Sequence, residues 1–393
     1  MRFDLTTAGR IIFGPGTRKE VPALASRMGR YALVVGGRNR ERTAGLIQGL
    51  KDGGMNAATF AVDREPTMEI ILEGLTLARA KSCDLVIGMG GGSAIDAGKA
   101  ISALMTNPGE LLEYLEVIGG SQSIPNPPAP YIAIPTTAGT GTEVTRNAVI
   151  ISREHEVKVS MRSDMMLPRL VVADPELTYS LPPHITASTG LDALTQLVEA
   201  FVSVKANPFT DGLCREGLVR AARSLNTVYA DGGDKAARED MMLASLFSGL
   251  ALANAGLGAV HGFAAPLGGM LDAPHGVVCA RLLPIVMDVN IRALAEREPG
   301  SPALTRYGEI ARVLSGDPGA DALQGVAWVE KTCAAMHIPA LNSIGLTEKH
   351  IPSLIENAAR ASSMKGNPVG LTGQELEAIA QRSLTPVPAR VPR

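Results

Sequence analysis

Short apolar runs alternate with helical periodicities through the first 180 residues. Segment 31–37 (YALVVGG) is an apolar run closed by glycines, the pattern of a buried strand. Similar runs predict strands at 56–62 (NAATFAV), 84–93 (DLVIGMGGGS) and 131–137 (YIAIPTT), the last preceded by a Pro-rich loop at 124–130. Between them, 68–82 and 93–105 carry apolar residues at helical spacing. This alternation implies an α/β, Rossmann-like fold: a mostly parallel sheet with helices on both faces. Ligands of such sheets sit at the carboxyl ends of the strands.

The pattern changes near SLPPH (180–184), where two prolines break the chain. Helical periodicity then dominates, at 187–204, 207–229, 235–255, 303–315, 320–336 and 348–362. The predicted layout is a dinucleotide-binding α/β domain over 1–180 and an all-helical domain over 181–384. The tail 385–393 (TPVPARVPR) reads as disordered, and no internal repeat is present. Within the helical half, Leu191, Leu194, Leu197, Val198 and Phe201 define an apolar face, while Asp192 and Gln196, one turn apart, share a polar one.

Composition narrows the class. With 393 residues the chain is too long for one simple core. Its net charge of -2 offers no basic field for nucleic acid. Cys83, Cys214, Cys279 and Cys333 form no CxxC and argue against a disulfide framework, which fits a reducing cytoplasm. The first residues lack the apolar core of a signal peptide, and no apolar run approaches the roughly 20 residues needed to span a bilayer.

Two loops carry candidate cofactor chemistry. GMGGGSAIDAGK (88–99) follows a strand and opens a helix. Gly91, Gly92 and Ser93 would let a pyrophosphate approach free N–H groups and the positive end of the helix dipole. The spacing is not G-x-G-x-x-G, and a tight strand–helix turn would use similar residues. PTTAGTGTEVT (135–145) follows the next strand, and Thr136, Thr137, Thr140 and Thr142 offer hydroxyls among small residues. Two such loops at one sheet edge point to a dinucleotide. In the helical half, His261 and His275 bracket a stretch of small residues. With a carboxylate they would make a mixed nitrogen and oxygen metal site; a pair of core histidines is the plain alternative. Gly276, after His275, reads as a flexible point near which a ligand approaches.

These segments resemble the iron-containing (group III) alcohol dehydrogenase family along almost the whole chain. The matching pieces are IIFGPG (11–16), GGGSAIDAGKA (90–100), PTTAGTGTEVT (135–145), DPELTYSLPP (174–183), GLDALTQLVEA (190–200) and HGFAAPLGGMLDAPHG (261–276). The resemblance implies a metal and a nicotinamide in a cleft between the two domains. It makes Asp192, His261 and His275 metal ligands and catalytic residues. It also implies a histidine where Gln196 stands, and another where Ala265 stands, so the chain departs from the pattern twice. A neutral amide oxygen is a weak donor for Zn²⁺ or Fe²⁺. Three protein ligands plus an open position suffice for catalysis, as in the similar glycerol dehydrogenase branch. The expectation is a divalent metal, Fe²⁺ or Zn²⁺, at reduced affinity, with Gln196 weakly bound or bonded to a metal water. A site that has given up its metal is the opposite reading.

Further cofactor residues follow from the same resemblance. Asp96 lies near the nicotinamide side and Lys158 near the cofactor. NAD-preferring relatives often carry an Asp where Gly37 stands; here Arg38 and Arg40 follow it, so either NAD or NADP is accommodated. Arg146 and Arg162 are candidates to hold an acidic substrate. The expected reaction moves hydride between nicotinamide and a small alcohol, aldehyde or ketone. Rival readings are a metal-independent, maleylacetate-reductase-like enzyme and a dehydroquinate-synthase-like lyase. A cytoplasmic homo-oligomer, a dimer, is expected, with no nucleic-acid or membrane partner.

Overall fold

The computed structural model describes residues 2–155, 157–271 and 273–385. Residues 386–393, nearly all of the expected disordered tail, lie outside them. The chain divides into two compact units, Leu5–Ser180 and Leu181 onward.

The first unit holds strands β1 (Ile11–Phe13), β2 (Tyr31–Gly37), β3 (Asn56–Val62), β4 (Leu85–Gly90), β5 (Tyr131–Pro135), β6 (Asn147–Ser152), β7 (Val157–Arg162) and β8 (Leu170–Ala173). Its helices are α1 (Val21–Ala25), α2 (Glu41–Asp52), α3 (Met68–Ala80), α4 (Gly92–Thr106) and α5 (Leu111–Tyr114). Six of the strands form one parallel sheet in the order β1-β8-β5-β4-β2-β3. Leu33, Val35, Val86 and Ile87 are fully buried, as expected for strands covered on both faces. The order reverses between β2 and β4, so their carboxyl ends form the crevice where such sheets take ligands.

Close packing, rather than ligand approach, explains two glycines of the 88–99 motif. A Cβ at Gly88 or Gly98 would lie against the Tyr131 ring and hydroxyl. That ring fills the space between β4 and α4, and its hydroxyl donates to Ile95 O at 2.7 Å. The antiparallel hairpin β6–β7 was not predicted from the sequence. Its strands are short, and Val149 on β6 is exposed, which blurs the apolar alternation.

The second unit contains α6 (Pro183–Val202), α7 (Pro208–Ala230), α8 (Lys235–Ala255), α9 (Ala259–Met270), α10 (His275–Arg297), α11 (Pro302–Ser315), α12 (Ala322–Ala335), α13 (Ile351–Arg360) and α14 (Gly373–Ser383). Helix α6 is the hub. It packs on α7, α8 and α10 and is buried at nearly every position from Thr186 to Val202. The helical prediction did not include α9 and α10. Each carries an interior proline, Pro266 and Pro284, which costs a backbone hydrogen bond and reads as a breaker. Burial of Val260, Phe263, Ala264 and Leu267 along α9, and of most of α10, holds both helices together. Helices α8 and α9 meet at 98° across a short break in which Gly256 adopts φ +69°. No single helix among the described residues is long and apolar enough to cross a membrane.

Candidate metal centre and nucleotide loops

Three helices of the second unit bring six side chains together. Asp192, Gln196 and Glu199 fall at i, i+4 and i+7 on α6, and so on one face. His261 stands in the first turn of α9. His275 opens α10, and Cys279 follows one turn later. Asp192 Oδ1 lies 3.5 Å from His261 Nε2 and 3.8 Å from His275 Nε2. Cys279 Sγ lies 3.7 Å and 3.6 Å from the same two nitrogens. All four donor atoms fall within 4.8 Å of one another.

Glycines set the approach of these helices. A Cβ at Gly276 would come under 3.0 Å from the Ser188 carbonyl, so the start of α10 rests directly on the α6 backbone. The expectation that Gly276 marks ligand access is thereby corrected: the residue is small to admit a neighbouring helix. At the other end of the site, Glu199 caps α9. Its Oε1 accepts from Val260 N at 2.7 Å, and its Oε2 receives the proton of His261 Nδ1 at 2.5 Å. That bond fixes the imidazole with Nε2 turned to Asp192, the role a carboxylate plays behind a metal-binding histidine.

The electrostatics of the cluster suit a cation. Asp192 is 1% exposed, and its Oδ1 accepts no hydrogen bond. Burial opposes its charge, but His275 and His261 outweigh burial and hold its carboxyl below the usual range. Burial likewise opposes charge on His261. Cys279, Glu199 and Asp192 overcome it and raise the imidazole well above its ordinary value. His275 is raised in the same way, chiefly by Cys279 and Asp192 against burial. A buried orphan carboxylate oxygen facing two imidazole nitrogens and a sulfur is a donor set that fits a divalent transition metal.

Gln196 does not point its oxygen at this cluster. Its Nε2 donates to Asp192 Oδ2 at 3.1 Å, and Ser248 Oγ donates to its Oε1 at 2.7 Å. The reverse amide orientation would set oxygen against carboxylate. Gln196 thus holds Asp192 from behind. Ala265 lies on α9 beyond His261 and brings no polar atom. Cys279 and Glu199 were absent from the sequence-derived site. The i, i+4 spacing of His275 and Cys279 was the signal available for the first, and the i+7 spacing from Asp192 for the second.

In the first unit, the two loops meet at the crevice between β2 and β4. A Cβ at Gly90 would lie 3.4 Å from Gly37 N; one at Gly91 would lie 3.5 Å from Thr137, and one at Gly92 2.9 Å from Thr140. Thr136 N donates to Gly90 O at 2.9 Å. Gly37, Gly91, Gly92, Thr136, Thr137 and Thr140 are thus neighbours. Gly91 is the N-cap of α4, and no side chain caps that helix, so its first turn offers N–H groups and positive dipole to an anion. Ser93 stands in that turn. Asp96 and Thr142 bond to each other and to Lys99. Thr142 Oγ1 donates to Asp96 Oδ1, and buried Lys99 donates to Thr142 O at 2.8 Å, Asn147 O at 2.7 Å and Thr145 Oγ1 at 3.1 Å. This knot ties the threonine loop to α4. Lys158, on β7, pairs with Glu65, and Arg38 and Arg40 are exposed beyond β2. Arg146 pairs with Asp164 and Arg162 with Glu116, so neither is a free cation awaiting an acid.

Comparison with known proteins identifies the family. The family model "Iron-containing alcohol dehydrogenase" matches residues 8–175, and "Fe-containing alcohol dehydrogenase family, C-terminal" matches 186–384. The chain is 36% identical to the 1,3-propanediol dehydrogenase of Klebsiella pneumoniae over 85% of both proteins. Its fold matches the alcohol dehydrogenase of Oenococcus oeni at a TM-score of 0.89 and 32% identity, covering 97% of this chain and 100% of that one. It also matches the sulfoacetaldehyde reductase of Bifidobacterium kashiwanohense, solved in complex with NAD+, at 0.85 and 28%, covering 98% and 99%. The reaction is metal-dependent oxidoreduction at an alcohol carbon, and neither the maleylacetate-reductase-like nor the lyase reading is favoured. With a Rossmann-like sheet, a helical second unit and an Asp–His–His cluster in place, the chain belongs to the iron-containing alcohol dehydrogenase family.

Proposed function

We propose that Asp192, His261 and His275 hold a divalent metal, and that the enzyme interconverts a small primary alcohol and its aldehyde with NAD or NADP. The observation that carries this reading is the orphaned, buried Asp192 Oδ1 beside two Nε2 atoms. A metal held by these residues would supply Lewis acidity to the substrate oxygen. Glu199 fixes the His261 tautomer, and Gln196, backed by Ser248, fixes the Asp192 carboxylate. Gly91, Gly92 and Ser93 cradle the pyrophosphate at the start of α4, and Thr136, Thr137 and Thr140 line the adjoining loop. Asp96, Lys99 and Thr142 hold that loop in register rather than touching the cofactor. Lys158, by resemblance, completes the cofactor surroundings. With Ala265 offering no proton acceptor, the alcohol proton leaves through water or the ribose hydroxyls.

NAD is supported by the NAD+ complex of the sulfoacetaldehyde reductase, and NADP by the open space at Gly37 beside the exposed Arg38 and Arg40. The small-alcohol assignment is supported by the 1,3-propanediol dehydrogenase relative. We further propose a cytoplasmic homodimer. The four unpaired, buried cysteines fit a reducing compartment, and sedimentation measures the assembly. The central test is Asp192→Ala. It should abolish both metal content, by elemental analysis, and NAD(P)H-coupled turnover. A variant that keeps the metal and wild-type turnover would refute the reading.

A further inference from the structure

We propose that the Cys279 thiolate is a fourth protein ligand of the metal, occupying from α10 the coordination position that the residue at 196 does not fill from α6. The inference rests on the metal reading given above and adds a donor to it.

The geometry carries it. With metal–nitrogen and metal–oxygen bonds of about 2.0–2.1 Å and a metal–sulfur bond of about 2.3 Å, donors at tetrahedral corners stand about 3.3–3.6 Å apart. The Oδ1–Nε2 separations are 3.5 and 3.8 Å, and the Sγ–Nε2 separations are 3.7 and 3.6 Å. Four of the six separations thus lie close to those such an ion requires, and the other two are within 4.8 Å. Gln196 cannot compete without breaking two contacts, because its amide nitrogen grips Asp192 Oδ2 and its oxygen takes the Ser248 hydroxyl. Cys279 is fully buried, and Nε2 atoms of both site histidines lie beside its sulfur. Its backbone belongs to the stretch of α10 that Gly276 anchors on α6, so its reach to the site is set by helix packing.

The consequence concerns which metal the protein holds. One carboxylate, two imidazoles and one thiolate are a softer donor set than a carboxylate with imidazoles alone, and thiolate favours Zn²⁺ over the harder divalent ions. On loading, the thiol proton passes to solvent and the sulfur binds as thiolate. Such a four-donor site would still leave room for a substrate oxygen, since catalytic zinc sites can expand to five ligands.

The test is spectroscopic and needs no turnover. Metal is removed from the full-length protein with chelator and replaced by Co²⁺. A near-ultraviolet thiolate-to-Co²⁺ charge-transfer band is expected in the wild type, retained in Gln196→Ala and lost in Cys279→Ser. Cys279→Ser should also weaken Zn²⁺ binding by about tenfold or more. Should Cys279→Ser fail to fold, X-ray absorption of the Zn²⁺-loaded wild type decides, through a sulfur shell at about 2.3 Å. Stoichiometric Co²⁺ binding with no charge-transfer band, or a zinc shell with no sulfur, overturns the Cys279 assignment and leaves Asp192, His261 and His275 as ligands. Wild-type protein that binds neither ion overturns both readings.

Discussion

Glu199→Gln is nearly isosteric, yet it should disable metal binding. Each Glu199 oxygen receives a different buried donor, Val260 N–H at 2.7 Å and His261 Nδ1–H at 2.5 Å. An amide has one acceptor oxygen. If that oxygen stays with Val260, the new NH2 faces His261 Nδ1, which must surrender its proton. The neutral ring then carries hydrogen on Nε2, the atom turned toward Asp192, and has no lone pair for a metal. If the oxygen turns to His261 instead, the NH2 meets the Val260 N–H, and a buried donor goes unsatisfied at a cost of about 1–3 kcal/mol. Both routes also remove a negative charge from behind the histidine. Loss of such a partner lowers metal affinity about 10- to 100-fold, or ~1.4–2.7 kcal/mol. Zn²⁺ would be titrated against a chromophoric competitor, with the His261 tautomer read from its ring-nitrogen chemical shifts. An unchanged tautomer together with a Zn²⁺ Kd within about twofold of wild type would refute the reasoning.

Three further outcomes are expected. Gly91→Ala meets only ordinary contacts at Thr137 and needs no unusual φ, so the fold should tolerate it. A methyl in the path of the cofactor would cost ~1–3 kcal/mol, about 5- to 150-fold in NAD(P)H Kd by fluorescence titration, and an unchanged Kd would remove Gly91 from the cradle. Gly37→Asp enters open space beside Arg38 and Arg40. It should weaken NADP about ten- to a hundredfold more than NAD, and equal responses would dismiss the 2′-phosphate contact. Burial holds the Glu143 carboxyl up at about 7, against an ordinary 4.5. Folding therefore favours its protonated form, and the wild type loses stability as pH rises through that window. Glu143→Gln should gain on the wild type by up to ~3 kcal/mol between pH 4.5 and 8 in urea denaturation. A constant difference across that range would count against the buried acid.

Where the sequence pattern matched the physics of one element, it located that element well. Strands β2 and β3 fall at 31–37 and 56–62 as the apolar runs predict, and α8 spans the predicted 235–255. These segments are long or uniformly apolar, and nothing interrupts their period. Helices α9 and α10 escaped because Pro266 and Pro284 mimic breaks, and tertiary burial overrides that local signal. The candidate cluster was legible in Asp192, His261 and His275 through resemblance. It was incomplete for a physical reason: ligand positions are set by how three helices pack, which no single periodicity reports. Cys279 carries no metal motif of its own in the sequence, although its spacing from His275 repeats that of Gln196 from Asp192. Gln196 was legible as a departure, but its turn toward Ser248 on α8 depends on a neighbour 52 residues away.

The contact of Gly276 with the α6 backbone has a consequence for how the protein lives with its metal. In small zinc-dependent domains the ion is the keystone, and the chain collapses without it. Here the donors ride on helices whose mutual approach is dictated by apolar packing and by a residue with no side chain. Such packing would hold the architecture before an ion arrives. A metal held there would accordingly be a replaceable part: a cell short of it would keep a stock of folded, idle enzyme, and resupply would restore activity without new synthesis. Supply would set activity while leaving abundance untouched, and a chelator followed by metal should switch turnover off and on with the helical signal unmoved throughout.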